Sequence, residues 1–357
     1  MKTSKIIGFA VILSVFLLSS NALSEENSSV IYVDDDGTAD YTSIQDAIDN
    51  ASDGDTIFVY NGVYNEIITI NKTISLIGEN KEKTIILGGN NTKIIDREVM
   101  PLYYLNNPNN STFLVNISAD NVTIAGFTIK NSTKYCFDIN LFNFYYSWRP
   151  PIPQDIYEKT HVPIGIGINI SSNNSKIMNN IFENNAYAID LKNNQNALIS
   201  NNTIQNNVFC GLSIINSSSN CIINNAFSNN SIGIDFINYS SYNRIYHNNF
   251  INSTSGHVFD LLIDSNVFYN ESIKQGNYWD DYNGTDKNND GIGDNPYNIS
   301  SNAEDMYPFM NPYYGKIVIT DFYVDEGSVQ LMLLVGMIVT IIFCIPIGLW
   351  WRKKYFK

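Results

Sequence analysis

Four segments of the chain superimpose without a gap: Ile177-Met-Asn-Asn-Ile-Phe-Glu-Asn184, Ile199-Ser-Asn-Asn-Thr-Ile-Gln-Asn206, Ile222-Ile-Asn-Asn-Ala-Phe-Ser-Asn229 and Ile245-Tyr-His-Asn-Asn-Phe-Ile-Asn252. Their starts lie 22, 23 and 23 residues apart. Three of them are followed by a small residue and an alternating apolar pair, as in Ala188-Ile-Asp-Leu191, Gly211-Leu-Ser-Ile214 and Gly233-Ile-Asp-Phe236. A weaker copy precedes the array at Ile124–Asn131 and a shortened one follows at Ile263–Asn270. A fixed period of this size implies one supersecondary unit per repeat, stacked on its neighbours.

Within each repeat the apolar residues recur at i and i+2, the periodicity of strands, and no run shows the 3.6-residue period of helical repeats. Three short strands and their turns fit into about 22 residues and make one coil. Stacked coils pair each strand in parallel with the next, at roughly 4.8 Å per coil. The pattern therefore predicts an all-β parallel solenoid. Ile177, Ile199, Ile222 and Ile245 should form one interior column, and Phe182, Ile204, Phe227 and Phe250 another. The chain carries 53 asparagines, a residue that competes with helical hydrogen bonding and tolerates left-handed corners. Asn180, Asn202, Asn225 and Asn248, and likewise Asn184, Asn206, Asn229 and Asn252, fall at matched heights. They are expected to bond coil to coil as amide ladders. Ahead of the array, Ile44, Ala47 and Ile48 share one face of a short helix capped by Thr42 or Ser43, a lid for the open end. Strands are predicted at 56–60, 67–70, 73–77 and 84–87.

The two ends read differently. Residues 1–24 have Lys2 and Lys5, an apolar run from Ile6 to Leu18 and small residues through Ser24, the layout of a signal peptide. Val329–Trp351 is uncharged and long enough to cross a bilayer, and Arg352, Lys353 and Lys354 after it place the tail in the cytoplasm. The expected organisation is a signal peptide (1–24), a β-helix (30–275) with an insert at about 137–163, an Asp/Asn-rich C-terminal cap (276–312), a linker (313–328), a transmembrane helix (329–351) and a cytoplasmic tail (352–357). The net charge of -14 argues against nucleic acid as a partner, since phosphate binding needs clustered Lys and Arg. Of four cysteines, Cys344 lies in the apolar span, so Cys136, Cys210 and Cys221 allow one disulfide at most. Nineteen Asn-x-Ser/Thr sequons, among them Asn116, Asn131, Asn216 and Asn252, are glycan acceptors in an exported chain, except where the asparagine faces inward.

Three motif groups carry a family resemblance. They are Tyr41-Thr-Ser-Ile-Gln-Asp-Ala-Ile48 with Asp53-Gly-Asp-Thr-Ile57 and Gly62-Val-Tyr-Asn-Glu66; the Asn-rich coils; and Gly276-Asn-Tyr-Trp-Asp-Asp-Tyr282 with Asp286–Asp294 and Asp305-Met-Tyr-Pro308. Over roughly residues 30–312 the chain resembles right-handed parallel β-helix proteins of the pectin-lyase-like kind, and within them the NosD-like surface proteins common in methanogenic archaea. The resemblance implies carbohydrate-binding or sugar-hydrolysing relatives. Its name-giving members assist copper delivery in a periplasm. Copper sites want His, Cys or Met, and His161, His247 and His257 stand without ligand spacing, so that role is not expected here. His247 occupies the place of Asn179, Asn201 and Asn224 and reads as a substituted ladder position.

Three candidate sites emerge. In Asp286-x-Asn288-x-Asp290-Gly291-x-Gly293-Asp294, oxygen ligands at alternate positions around a Gly turn resemble the first half of a calcium loop. Tyr297 stands where an EF-hand has its glutamate, so closure falls to Asp294, or to Asp281 or Asp305. Asn169, Asp190, Ser213 and Asp235 occupy one outward place on successive coils. Asp190 and Asp235, two coils or roughly 9–10 Å apart, are the candidate catalytic pair if the protein is an enzyme. The insert is rich in aromatic residues, and Tyr145, Tyr146 and Trp148 are candidate sugar-stacking rings. The combined expectation is a membrane-anchored extracellular protein binding glycans or envelope proteins, with calcium as the candidate cofactor. A polysaccharide lyase or hydrolase, or a structural envelope component, are the rivals.

Overall fold

A computed structural model describes residues 28–88, 113–132, 134–136, 162–260, 265–300 and 302–314. The expected signal peptide and transmembrane span, and most of the insert, lie outside the described residues. Among the described residues no helix is long and apolar enough to cross a membrane.

The chain winds as a parallel β-helix with three sheets. In the central coils the first sheet holds Lys176–Met178, Leu198–Ser200, Cys221–Ile223 and Arg244–Tyr246. The second holds Ile166–Ile170, Tyr187–Lys192, Cys210–Ile215, Ile232–Ile237 and Gly256–Asp260. The third holds Ile181–Glu183, Thr203–Gln205, Ala226–Ser228 and Asn249–Ile251. The register is the one the repeat dictates, with Ile177↔Ile199↔Ile222↔Ile245 and Phe182↔Ile204↔Phe227↔Phe250 as successive partners. All eight side chains are fully buried. The aromatic column continues past the repeats: Phe227 stacks on Phe250 at 5.0 Å, Phe250 on Trp279 at 4.4 Å, and Trp279 on Tyr297 at 4.4 Å.

The first amide ladder stands as expected and is buried throughout. Each Oδ1 accepts both the backbone N–H and the side-chain Nδ2–H of the preceding coil. Asn180 donates in this way to Asn202, Asn202 to Asn225, and Asn225 to Asn248, at 3.0–3.3 Å. The second hydrogen of each Nδ2 goes to a strand carbonyl, those of Ile124, Ile177, Ile199 and Ile222. The ladder then leaves the repeats: Asn248 donates to Asn277, and Asn277 to the carboxylate of Asp305.

The second expected column lies at the corners, and the buried ladder runs one residue further on. Asn184, Asn206, Asn229 and Asn252 take left-handed φ of 52–56° and form the corners. The ladder runs through their neighbours Asn185, Asn207 and Asn230. In each of these Asn-Asn pairs the first residue turns the chain and the second forms the buried ladder, while the exposed corner amides also reach across coils, as where Asn252 Nδ2 donates to Asn229 Oδ1 at 3.3 Å. His247, at φ 61°, replaces a corner asparagine and not a ladder one. A third ladder, Asn220 to Asn243 to Asn266, lies outside the expected columns altogether.

At the N-terminal end the helix Ile44–Asn50 buries Ile44, Ala47 and Ile48. Ser43 caps it by accepting from the Asp46 amide. The Glu66 carboxylate accepts from the amides of Ile44 and Gln45, and Lys72 donates to the carbonyls of Ile48, Asp49 and Ala51. An anion at the N-terminus and a cation at the C-terminus complement the helix dipole, which keeps a seven-residue helix in place. The strands Val30–Val33 and Gly62–Tyr64 were not expected; they add to the first and third sheets.

Two long segments separate successive strands, and both stand between a third-sheet strand and a second-sheet strand. Residues 89–112 follow the third-sheet strand Thr84–Leu87 and precede the second-sheet strand Phe113–Ile117. One coil on, the chain passes from Thr128–Lys130 to Ile166–Ile170 through the insert. That insert begins and ends on an antiparallel pair, Lys134–Cys136 with Val162–Ile164.

Removing a ladder amide leaves two buried donors unanswered. Asn225→Ala should therefore cost roughly 2–6 kcal/mol, at about 1–3 kcal/mol per orphaned donor. Asn206→Gly at an exposed left-handed corner should change stability by less than about 1 kcal/mol. Urea denaturation midpoints of the two variants compare them, and equal losses would count against the division of labour within the Asn-Asn pairs.

Candidate functional site

The outward row of the second sheet is continuous: Thr69↔Asn116↔Asn169↔Asp190↔Ser213↔Asp235. Each member alternates with inward apolar neighbours such as Ile189 and Leu191, so the strand period places it on the opposite face. Thr69 is exposed and Asn116 and Asn169 are half-buried, but the C-terminal half of the row is not a wet face. Asp190, Ser213 and Asp235 are 6%, 1% and 3% exposed. The Asn169 amide donates to Asn116 Oδ1 at 2.7 Å. Burial pushes the Asp190 carboxyl up to about 6, against the pull of Lys192 and a hydrogen bond from Ser213, with the Asp235 charge adding to the rise. One of its oxygens, Oδ1, is buried with no hydrogen-bond partner among the described residues. An orphaned buried oxygen is costly, and it marks where a donor from a ligand would be most favoured.

Asn116 and Asn169 of this row lie on the second-sheet strands that follow residues 89–112 and the insert. Tyr145, Tyr146 and Trp148 belong to the insert and lie outside the described residues.

The Asp286–Asp294 loop is closed by its own groups. Asp286 accepts from the amides of Asp290 and Gly291, Asn288 from Asp290, Asp290 from Ile292, and Asp294 from the Lys287 amide and the Thr285 hydroxyl. Gly291 supplies a φ of +86°. Neither outside closer suggested by the sequence turns toward it. Asp305 is fully buried at the ladder end, where Oδ2 accepts from Asn277 and from Trp279 Nε1 at 2.9 Å, and Oδ1 from the Tyr307 amide at 3.0 Å. Burial pushes this carboxyl up to about 6 as well, although all four hydrogen bonds pull it down. A Cβ on Gly276 would overlap the Asp305 carboxylate, which explains the glycine that opens the Gly276–Tyr282 motif.

Asp281 turns instead toward His257, together with Asp280. Among the described residues this is the one place where three His, Cys, Asp or Glu ligand atoms gather within 4.8 Å of one another. The sequence separates His257 from the carboxylates by more than 20 residues. Only the coil register, which sets the strand Gly256–Asp260 near the end of the third sheet at Tyr278–Trp279, joins them. Cys210 and Cys221 are free thiols.

The family model for "periplasmic copper-binding protein (NosD)" matches residues 48–284, about two thirds of the chain, and the chain belongs to that family. No curated protein matches it. Among solved structures, a pectin methylesterase from Erwinia chrysanthemi is similar at 15% identity, covering 63% of this chain and 72% of that one, with a TM-score of 0.33. A pectin methylesterase from Yersinia enterocolitica aligns at 16% identity, over 63% and 69%, with a TM-score of 0.37. The ORF18 protein of Geobacillus virus E2 aligns at 15%, over 58% and 38%, with a TM-score of 0.40.

The raised carboxyl of Asp190 gives a signed pH dependence. Its contribution to stability is complete below the unfolded value of 3.8 and is lost as pH rises through about 6. A shift of about two units corresponds to about 3 kcal/mol. Asp190→Asn should therefore gain stability relative to wild type at pH 7.5 and lose that advantage at pH 4. Thermal melts at the two pH values check this, and an advantage that does not shrink on acidification would contradict it.

Proposed function

We propose that this NosD-family β-helix is an extracellular protein that binds carbohydrate along the outward row of its second sheet, with Asp190 and Asp235 as anchoring carboxylates. The observation that carries this reading is the buried, unpartnered Oδ1 of Asp190. A sugar hydroxyl is a donor of the right size and polarity to answer it once the cover over Asp190 parts, and neighbouring coils repeat polar groups at roughly 4.8 Å, a spacing close to the reach of one sugar ring. Residues 89–112 and the insert each join a third-sheet strand to a strand of this sheet. The insert carries Tyr145, Tyr146 and Trp148, rings that suit the apolar faces of sugars. Long loops on a rigid scaffold are where recognition concentrates.

Hydrolysis is the weaker reading. A carboxyl near 6 suits a general acid, but Asp235 stands two coils away with Ser213 between them. Binding by envelope proteins is the other rival. Copper delivery, which the family description names, finds little support in the donor set. Cuprous ion wants thiolate or thioether ligands, and neither sulfur of Cys210 or Cys221 belongs to the gathered ligand group of the described residues. Export through residues 1–24 and anchoring through 329–351 are part of the same proposal.

Glycan-array binding by wild type, Asp190→Ala and Asp235→Ala tests the reading. Retention of a polysaccharide class without release of reducing ends, weakened at least tenfold in both variants, is the expected result. Unchanged retention in both would sink it, and product release would move the assignment to a hydrolase or lyase.

Calcium in the 286–294 loop is a separate proposal. The ion would replace the amide hydrogen bonds that Asp286, Asn288, Asp290 and Asp294 now accept. Calorimetry with calcium chloride should show one site in wild type that is absent in Asp290→Ala; no heat in wild type removes the idea.

A further inference from the structure

The cluster at the C-terminal end of the solenoid has the construction of an ion site. His257 is buried, at 8% exposure. Its Nε2 lies 2.9 Å from Asp280 Oδ1 and 3.4 Å from Asp281 Oδ1. A nitrogen and an oxygen on tetrahedral bonds of 2.0–2.2 Å would stand about 3.3–3.6 Å apart, so the His257–Asp281 spacing already matches and the His257–Asp280 spacing needs to open by only about half an ångström. Each of the three groups is fixed through its other polar atom. His257 Nδ1 is 3.0 Å from Ser253 Oγ, Asp280 Oδ2 accepts from the Asn252 amide at 2.6 Å, and Asp281 Oδ2 accepts from the Tyr297 hydroxyl at 3.1 Å. Outer partners that set imidazole orientation and carboxylate direction are the hallmark of metal ligands held ready.

Space and support complete the arrangement. His257 and Asp281 line a pocket of about 180 Å³ whose other walls include Trp279 and Tyr297. The pocket leaves an open side for waters or for an oxygen ligand. Trp279 is locked into the core stack and bonded to Asp305, so the adjacent carboxylates of Asp280 and Asp281 are presented from a rigid element. This differs from the Asp286–Asp294 loop, whose oxygens are taken up by its own amides.

We propose that His257, Asp280 and Asp281 bind a divalent first-row transition-metal cation with open coordination positions facing the pocket. One imidazole nitrogen and two carboxylate oxygens make a borderline-to-hard donor set that suits Mn²⁺ and Zn²⁺, and the absence of sulfur from the set disfavours cuprous ion. The site lies apart from the second-sheet row and stands whether or not that row binds sugar.

The test titrates chelator-treated full-length protein with manganese chloride and zinc chloride by calorimetry. One saturable site is expected, with affinity lowered at least tenfold in Asp281→Asn and in His257→Gln. Asp281 is the safer variant for folding, since its side chain is 61% exposed. A second readout needs no variant: Mn²⁺ should broaden the ring-proton resonances of His257 at far lower Mn²⁺ occupancy than those of His247. It should also quench Trp279 emission, the indole centroid being 5.9 Å from the imidazole, and the quenching should vanish in Asp281→Asn. No saturable Mn²⁺ or Zn²⁺ site, binding unchanged in Asp281→Asn, or no selective broadening of His257 would overturn the assignment and leave a histidine that only shares a proton with its two carboxylates.

Discussion

The structure depends on a directional hydrogen-bond ladder running through its interior. A backbone of short strands stacked in parallel leaves polar corners inside the coil, and buried amides left unpaired would each cost about 1–3 kcal/mol. Asparagine answers them because it carries both an acceptor with two lone pairs and two donors on one short side chain. From Asn202 to Asn277 every Oδ1 takes two hydrogens, and from Asn180 to Asn277 every Nδ2 passes one on toward the C-terminus. The two other ladders end in asparagines, Asn230 and Asn266, whose Nδ2 groups go to strand and turn carbonyls; this one ends differently. It ends in a carboxylate, the side chain that only accepts, and Asp305 collects the last amides together with the Trp279 indole N–H and the Tyr307 amide. The Gly276–Tyr282 motif is the fitting around that terminus: glycine for clearance, Asn277 as the last rung, Trp279 as both donor and end plate of the aromatic column.

This explains what could be read from the chain and what could not. The spacing of Ile177, Ile199, Ile222 and Ile245 fixes both period and register, because a one-residue slip would turn every side chain to the opposite face. The core and the first ladder were legible for that reason. The second ladder was misplaced by one residue, since in an Asn-Asn pair the pattern alone does not say which amide turns outward; that depends on which residue takes the left-handed φ. Asp305 was legible as an acidic residue and not as a ladder terminus, because its partners arrive from a segment 28 residues earlier with no repeat to align it. The outward position of Asp190 was readable from strand alternation, and its burial was not. The cluster of His257 with Asp280 and Asp281 arises only when two irregular final coils are laid in register.

The division between scaffold and surface follows the same line. Residues committed to ladders and interior columns are held by neighbours on both sides, so variation concentrates where the winding can be interrupted without breaking a rung. Both long segments, residues 89–112 and the insert, stand between a third-sheet strand and a second-sheet strand. The first-sheet strands and ladder positions before and after them resume in register, as Leu76↔Ile124↔Ile177 shows. The hydrogen-bond frame is therefore unaltered across both segments.

The polarity of the ladder also decides how a protein of this design can change size. An internal coil receives two hydrogens and hands on two, so it is neutral to its neighbours and could be copied or deleted in units of 22 or 23 residues. The ends have no such freedom: the helix clamped by Glu66 and Lys72 closes one, and the Asp305 carboxylate closes the other. Length is thus adjustable only from the middle, in steps of roughly 4.8 Å, and a duplicated coil would carry the C-terminal ion cluster outward by one step with its internal geometry intact.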